Sequence, residues 1–322
     1  MSVLNTRLVD PYGRPVHELR ITVTENCNYS CIYCHKEGEY YKHRSKELSV
    51  SDIVTIVKVA ASLGVRKVKL TGGEPLLRRD IADLISQIAS ITGISEVSLV
   101  TNGYFLADKA RELKEAGLTR VNVTLNTLDS RKYRAITGVD GLEQTLKGIE
   151  AAVSEGLNPV KINYVYLKGI NEEDFWSIVE YASSVGVSVV RVIEYHEPLP
   201  LSRKYARFHA DLTHLLESLA RVSIRIEKRR LHNRPVYYLP NGVVVEIVKP
   251  MFNPNFCAAC TKLRLTSDGW LKPCLLRQNG LVDVLAAIKC GEEAVKRALV
   301  EATLKRKPYF TFASRNYKGD RS

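Results

Sequence analysis

The stretch LRITVTENCNYSCIYC, residues 19–34, starts as a β-branched run and continues directly into three closely spaced cysteines. Five similar runs follow it, and segments with apolar residues at helical spacing lie between them. These runs are KVKLT (67–71), VSLVT (97–101), RVNVTL (120–125), VKINYVYL (160–167) and VSVVRVI (187–193). Strands that alternate with helices predict an α/β fold, a parallel sheet with crossover helices.

The number of strand–helix units sets the expected shape of the sheet. Six units are too few for a closed eight-fold barrel, so we expect a partial (β/α)6 TIM-like barrel over residues 1–220. Beyond it, the short strand-like pieces VSIRIEK, PVYYLP and GVVVEIV lead to a proline-flanked cysteine group. We expect residues 221–322 to form a smaller C-terminal α+β module that covers the open side of the barrel.

Composition limits the class of protein. No uninterrupted apolar run of about 18 residues exists, so no membrane span is predicted. The N-terminal MSVLNTRLVDPYGRP lacks the apolar segment of a secretory signal. We therefore expect a cytoplasmic protein, in which the seven cysteines serve metal or redox chemistry rather than disulfides.

The net charge of +12, from 47 basic and 35 acidic residues, favours anionic partners such as phosphates or nucleic acid. The densest basic run, RIEKRR (225–230), is more typical of a solvated face than of a nucleic-acid interface. We therefore expect no nucleic-acid partner.

Cys27, Cys31 and Cys34 form a C-x3-C-x2-C group. Structural zinc takes four protein ligands and a [4Fe-4S] electron carrier takes four thiolates, so three thiolates leave one iron open. That iron could chelate S-adenosylmethionine and hold its sulfonium beside a reducing cluster. The alternative is a zinc loop completed by His35 or His43.

Cys257, Cys260 and Cys274 form a second group, C-x2-C-x13-C, again with one site open. The alternative here is a zinc knuckle completed by Cys290 or His232. Cys290 itself lies in the helix-like DVLAAIKCGEEA, where we expect a small core residue.

The first cysteine loop and TGGEP (71–75) together resemble the radical S-adenosylmethionine enzymes. Nearly the whole chain resembles the GTP 3′,8-cyclase family, lyases of molybdopterin biosynthesis. The resemblance lies in LRITVTENCNYSCIYC, KVKLTGGEPLLRRDI, TNG, RVNVTLNTLD, KINYVYLKGIN, RVIEY and CAACTKLRLTSDGWLKPC. The resemblance implies two [4Fe-4S] clusters. The first would produce a radical that removes the ribose C3′ hydrogen of GTP, and the second would bind the guanine. The C3′ radical would then attack guanine C8.

The resemblance also assigns site residues. Those for catalysis at the first cluster are Cys27, Cys31 and Cys34, and those for the second cluster are Cys257, Cys260 and Cys274. The residues for S-adenosylmethionine are Tyr33, Gly73, Thr124 and His196. Those for GTP are Arg20, Lys69, Thr101, Lys161, Arg191, Lys262 and Arg264. Implied partners are a reductant protein, the downstream cyclic pyranopterin monophosphate synthase and a second copy in a homodimer.

Some positions depart from the family pattern. Lys69 and Lys262 stand where many members have arginine, and His196 stands where methionine is common. Many members end in a Gly-Gly tail, whereas this chain ends FASRNYKGDRS, so a replacement by Arg315 or Gly319 stays open.

Two alternatives explain less of the sequence. A peptide-modifying radical enzyme with an auxiliary cluster would generally carry more C-terminal cysteines, and the cations suit a triphosphate better. A zinc-containing nucleic-acid-binding protein would leave the α/β repeat and TGGEP unexplained.

Overall fold

The computed structural model describes residues 7–39, 44, 46–197 and 202–310. Six strand–helix units occupy the first part of the chain, and all six predicted strands are confirmed. The strands are β1 Glu18–Thr22, β2 Lys67–Thr71, β3 Glu96–Thr101, β4 Arg120–Thr124, β5 Lys161–Tyr166 and β6 Val189–Glu194. The helices are α1 Val50–Ser62, α2 Ile81–Ala89, α3 Leu106–Glu115, α4 Ser130–Thr137, α5 Leu142–Ser154 and α6 Phe175–Ser184.

The remaining part of the chain is a mixture of short strands and helices. Its helices are α7 Arg203–Phe208, α8 Thr213–Val222, α9 Pro254–Ala258, α10 Val284–Ile288 and α11 Glu292–Leu304. Its strands are β7 Arg225–Arg229, β8 Arg234–Tyr238, β9 Val244–Val248, β10 Lys262–Leu265, β11 Trp270–Lys272 and β12 Val282–Asp283. Strand β7, which holds most of the basic run, is largely exposed.

One sheet joins all the described strands, in the order β12-β11-β10-β1-β2-β3-β4-β5-β6-β9-β8-β7. The predicted barrel strands β1 to β6 are parallel neighbours in chain order. Strand β10 extends them as a parallel neighbour of β1, and β9 does so beside β6. The C-terminal segment therefore adds a parallel strand to each edge of the partial barrel.

Strand side chains alternate between two environments, as the two-residue period of a strand requires. Apolar side chains point outward into the core beneath the helices, for example Leu19, Ile21, Val121, Val123, Ile162, Val190, Val192, Leu263 and Leu265. Their strand neighbours line a cavity inside the barrel, for example Arg20, Asn122, Asn163, Arg191, Lys262 and Arg264. The interior of this barrel is thus largely polar and charged rather than filled with aliphatic side chains.

Strands on both sides of residue 220 share this sheet, and the division there stays a prediction. Among the described residues, no helix is long and apolar enough to cross a membrane.

Candidate active site

A cavity of about 340 Å³ lies inside the barrel and extends from the carboxyl ends of the parallel strands toward their amino ends. Both cysteine groups line it, although their sequences are far apart. Their members are Cys27, Cys31, Cys34, Cys257, Cys260 and Cys274. The first group follows the carboxyl end of β1, the end at which parallel α/β sheets place ligands. Cys257 and Cys260 precede β10, and Cys274 follows its antiparallel neighbour β11, so the second group lies toward the amino ends of the parallel strands.

The glycines of TGGEP hold the segment that leads into the first cysteine loop. The Gly73 amide donates to the carbonyl of Thr24 at 2.8 Å, and the Glu74 amide donates to that of Asn26 at 2.7 Å. A Cβ atom on Gly73 would overlap the carbonyls of Glu25 and Asn26. This close approach of two backbones explains why glycine follows β2 here.

The C-terminal end of α4 holds the other side of the same loop. The amides of Ser30 and Ile32 donate to the carbonyls of Thr137 and Ile136, each at 2.9 Å. Gly138 ends the helix in a left-handed conformation, and a side chain there would meet Ser30. The cysteine loop is therefore fixed from two sides by backbone hydrogen bonds.

The first cysteine loop also touches the second group. Lys272 donates to the carbonyl of Gly38, and a Cβ on Gly38 would overlap the carbonyl of Leu275, next to Cys274. Two loops from opposite ends of the chain thus meet at one contact beside the cavity.

All six cysteines of the two groups are free thiols in this structure. The amides of Tyr29 and Lys36 approach the sulfurs of Cys27 and Cys34 at 3.4 Å. Burial raises the pKa of Cys31 to about 12, so this thiol would need a cation to become a thiolate. Three neighbouring thiols line the cavity, Cys31 half-buried and the other two exposed with backbone donors, and this arrangement fits an iron–sulfur cluster.

Among the described residues, no three His, Cys, Asp or Glu side chains are grouped so that they could hold one metal ion. His35 lies in the cavity wall with its ring 5.1 Å from that of His196, and His232 stacks on Phe256 at 3.9 Å. His43 lies outside the described residues.

The expectation that Cys290 is a core residue is wrong. Cys290 follows α10 and is exposed to solvent. A helix-like sequence pattern alone did not reveal that the chain leaves the helix two residues earlier. The C-terminal candidates Arg315 and Gly319 lie outside the described residues.

The four residues assigned to S-adenosylmethionine line the cavity: Tyr33, Gly73, Thr124 and His196. The Tyr33 hydroxyl accepts a hydrogen bond from Asn126 at 2.9 Å. The Nδ1 of His196 lies 2.8 Å from the carbonyl of Glu194, which leaves Nε2 for another contact. These residues lie close enough to share one ligand.

Six of the seven residues assigned to GTP line the same cavity: Arg20, Lys69, Thr101, Arg191, Lys262 and Arg264. Lys161 is not among its lining residues. Its ammonium lies 2.8 Å from the carboxylate of Glu246, where it forms a buried ion pair. All of these residues except Lys161 therefore line one cavity.

Three buried carboxylates accompany these cations. Glu37 lies between Arg20 and Arg264, at 2.7 and 2.8 Å. Burial opposes ionisation of Glu37, but the two guanidinium groups hold its pKa well below the usual range. Glu18 pairs with Lys262 at 3.4 Å.

Glu246 is the third carboxylate and carries the largest group of cations. It contacts Lys161 at 2.8 Å, Arg191 at 3.0 Å and Arg234 at 3.3 Å, and it also contacts Arg229. Despite its burial, these charges hold the pKa of Glu246 far below the usual range. One carboxylate thereby connects strands β5, β6, β7, β8 and β9.

Sequence reasoning missed several polar residues of the cavity. Asn122 and Asn163 line it, and the Nδ2 of Asn122 is buried without a hydrogen-bond partner among the described residues. The signal was present in the sequence, since β4 and β5 alternate polar and apolar residues. A fully buried parallel strand usually lacks that alternation.

Glu74 is a further residue that motif matching did not single out. It is fully buried and accepts hydrogen bonds from the Thr101 hydroxyl and from the amides of Asn102 and Leu76, at 2.8, 2.7 and 2.9 Å. Burial raises the pKa of Glu74 to about 7. Its carboxyl group joins the loop after β2 to the TNG loop after β3.

Comparison with known families agrees with this geometry. A family model described as the radical SAM superfamily matches residues 21–182, and one described as Molybdenum Cofactor Synthesis C matches residues 188–312. A probable GTP 3′,8-cyclase of Metallosphaera sedula is 43% identical over 87% of both chains. One from Pyrococcus abyssi is 42% identical over 94% of this chain and 100% of the relative.

Solved structures share the fold. SuiB of Streptococcus suis, solved with bound S-adenosylmethionine, has a TM-score of 0.61 at 18% identity. The match covers 80% of this chain, which spans 60% of the SuiB chain. A structure of anSMEcpe with bound AdoMet has a TM-score of 0.64 at 14% identity, over 91% of this chain and 81% of the other.

The fold and the three-cysteine loop define a radical S-adenosylmethionine protein, a class whose members carry a [4Fe-4S] cluster. Within that class, the chain belongs to the GTP 3′,8-cyclase family of molybdenum cofactor synthesis.

We predict that Glu74→Ala destabilises the protein by about 3 kcal/mol, because it leaves three buried donors unsatisfied. Denaturant unfolding of the iron-free protein would measure the change in the free energy of unfolding. Asp83→Ala is the matched control, since this exposed carboxylate accepts only from Gln87 on the same helix. Equal stability of Glu74→Ala and Asp83→Ala would contradict the role given to Glu74.

Proposed function

We propose that this chain binds GTP in the cavity between its two cysteine groups and joins ribose C3′ to guanine C8. The product would be 3′,8-cyclo-7,8-dihydro-GTP, the first intermediate of molybdenum cofactor synthesis. The observation that carries the proposal is the surplus of buried positive charge in the cavity walls.

In the described part of the chain, the cations of the cavity wall and of the ion pairs behind it number eight, and they share three carboxylates. The cations are Arg20, Lys69, Lys161, Arg191, Arg229, Arg234, Lys262 and Arg264, and the carboxylates are Glu18, Glu37 and Glu246. When all are ionised, five positive charges exceed what the carboxylates neutralise. A triphosphate carries roughly four negative charges and would compensate most of this surplus.

Lys69 shows the surplus most directly. It is only 4% exposed, lines the cavity and makes no ion pair within the described part of the chain. Burial lowers its pKa well below the usual value, and the charges of Arg120, Arg191 and Lys262 lower it further against the opposing effect of Glu18. An anionic ligand is the chemistry that would satisfy this ammonium group.

The residues around the first cysteine group suit S-adenosylmethionine. When bound, a [4Fe-4S] cluster and this cofactor supply a 5′-deoxyadenosyl radical, which can remove the C3′ hydrogen of a nearby ribose. Cys27, Cys31 and Cys34 would hold the cluster, and Gly73 leaves its backbone free to approach the cofactor. Tyr33, Thr124 and His196 would orient the cofactor beside the substrate.

We place a second [4Fe-4S] cluster at Cys257, Cys260 and Cys274, with the guanine of GTP beside it. Attack of the C3′ radical on C8 breaks the C8–N7 double bond and leaves one unpaired electron on the base. One electron from a reductant protein and one proton complete the dihydro product. Lys161 would act indirectly: it would neutralise Glu246, so that the positive charge of Arg191 is available to bind phosphate.

We also propose the partners that the family implies: the reductant protein, a downstream cyclic pyranopterin monophosphate synthase and a second copy of the chain. A peptide substrate is the less favoured alternative. SuiB and anSMEcpe were also solved with bound peptides, but at 16% sequence identity each is evidence for a shared fold alone. A peptide substrate would also leave the surplus positive charge of the cavity uncompensated.

We predict that GTP deuterated at C3′ transfers its label to 5′-deoxyadenosine, because the radical takes that hydrogen directly. Mass analysis of an anaerobic reaction with dithionite would detect the label. Cys27→Ala should form no 5′-deoxyadenosine, whereas Cys274→Ala should cleave some cofactor without cyclising GTP. Deuterium that stays in the nucleotide product, or that is lost to water, would contradict the proposed hydrogen abstraction.

We predict that Lys69→Met weakens GTP binding by about ten- to a hundredfold, as expected when a desolvated charge contact is lost. Isothermal titration of the reconstituted protein would measure the dissociation constant. Lys67→Met is the matched control, because Lys67 lies two residues earlier on β2, is 45% exposed and pairs with Glu96. Affinity for S-adenosylmethionine should change little in either variant. Equal GTP affinities for the two variants would refute a phosphate contact at Lys69.

We predict that GTP affinity falls as pH rises through the range below the ordinary pKa of lysine, because burial lowers the pKa of Lys69, bound phosphate raises it again, and binding therefore takes up a proton. Lys69→Arg should bind with a flatter pH profile, since guanidinium keeps its charge throughout this range. Protonation of GTP itself affects both proteins and cancels in the comparison. Identical slopes for the two proteins would show that Lys69 does not titrate with binding.

A further inference from the structure

Three buried charged residues connect the two ends of the chain beside the second cysteine group. Asp10, Arg14 and Arg306 are 4%, 8% and 2% exposed. The Asp10 carboxylate lies 2.7 Å from the Nε of Arg14 and 3.2 Å from the Nη1 of Arg306. It also accepts the amide of Arg14 at 2.9 Å. One carboxylate thus orients two guanidinium groups and leaves one positive charge in excess.

The guanidinium group of Arg14 donates hydrogen bonds to three backbone carbonyls. It donates to Cys257 at 2.8 Å, to Pro308 at 2.9 Å and to Lys307 at 2.6 Å. Arg306 donates to the carbonyls of Arg14, at 3.1 Å, and of Cys260. The backbones of two cysteines in the second group are therefore held directly by these arginines.

The same contacts position a hydrogen-bond donor to sulfur. Burial raises the pKa of the Cys257 thiol, and a hydrogen bond from the backbone amide of Phe310 and the charge of Arg14 oppose that rise. Lys307 and Pro308, whose carbonyls Arg14 holds, immediately precede this amide in the chain. Arg14 consequently fixes where the N–H of Phe310 lies relative to the sulfur.

We propose that Arg14 is a positioning residue for the second cluster, holding the C-terminal segment so that the Phe310 amide donates to the sulfur of Cys257. The inference rests on the proposed second cluster. Hydrogen bonds to cluster sulfurs and nearby positive charge favour the more negative, reduced state, and so raise the reduction potential. Lysine could not reproduce these hydrogen bonds, because the planar guanidinium group of arginine can donate to several carbonyls in fixed directions at once.

The test isolates the second cluster in a parent protein whose first group is removed by Cys27→Ala, Cys31→Ala and Cys34→Ala. Iron analysis should give about four irons per chain, and a redox titration followed by electron paramagnetic resonance gives the potential. Arg14→Lys in this parent should shift the potential to a more negative value. Arg66→Lys is the matched control, because Arg66 also holds two carbonyls, of Ala61 and Val65, but does not line the cavity.

A second pair of variants keeps the test decisive if Arg14→Lys fails to fold. Phe310→Pro removes the amide donor and should lower the potential, whereas Phe310→Ala keeps the donor and should not. An unchanged potential in Phe310→Pro, or equal shifts in Arg14→Lys and Arg66→Lys, would overturn the positioning role. A parent without iron would overturn the second cluster itself, and the positioning role with it.

Discussion

Positive charge buried inside a barrel is the constraint on which the rest of this structure depends. A charged interior cannot be stabilised by aliphatic packing, so the core lies outside the strands, between sheet and helices. The charges are tolerated because a few carboxylates each serve several of them, as Glu246 does. Removing one partner of such a group leaves the others uncompensated, which makes the whole set interdependent.

The two cysteine groups face one cavity from opposite ends of two neighbouring parallel strands. The first group follows the carboxyl end of β1, and part of the second precedes β10, its neighbour in the sheet. Pairing of Arg20 with Arg264 along these strands also sets two cations side by side, with Glu37 from the cysteine loop between them. Charge and cluster geometry therefore share the same backbone framework.

The sequence predicted most of the fold, because strand signals are local. The six barrel strands were found from short β-branched runs. The attachment of β9 and β10 to opposite edges depends on long-range pairing, which no local pattern carries. The assignment of Lys161 to the cavity surface rested on family likeness, whereas its ion pair with Glu246 depends on a carboxylate from a distant strand. Helical periodicity also failed to predict that Cys290, which follows the end of α10, is exposed to solvent.

The pairing of β1 with β10 has a consequence for the synthesis of the protein. Strand β1 leaves the ribosome early, but one of its two neighbours is encoded near the end of the message. Contacts between such distant segments form slowly, since most of the chain must be released before they can close. The nascent chain therefore leaves one edge of β1 unpaired until β10 has been released. The cavity that both cysteine groups line can close only after that step.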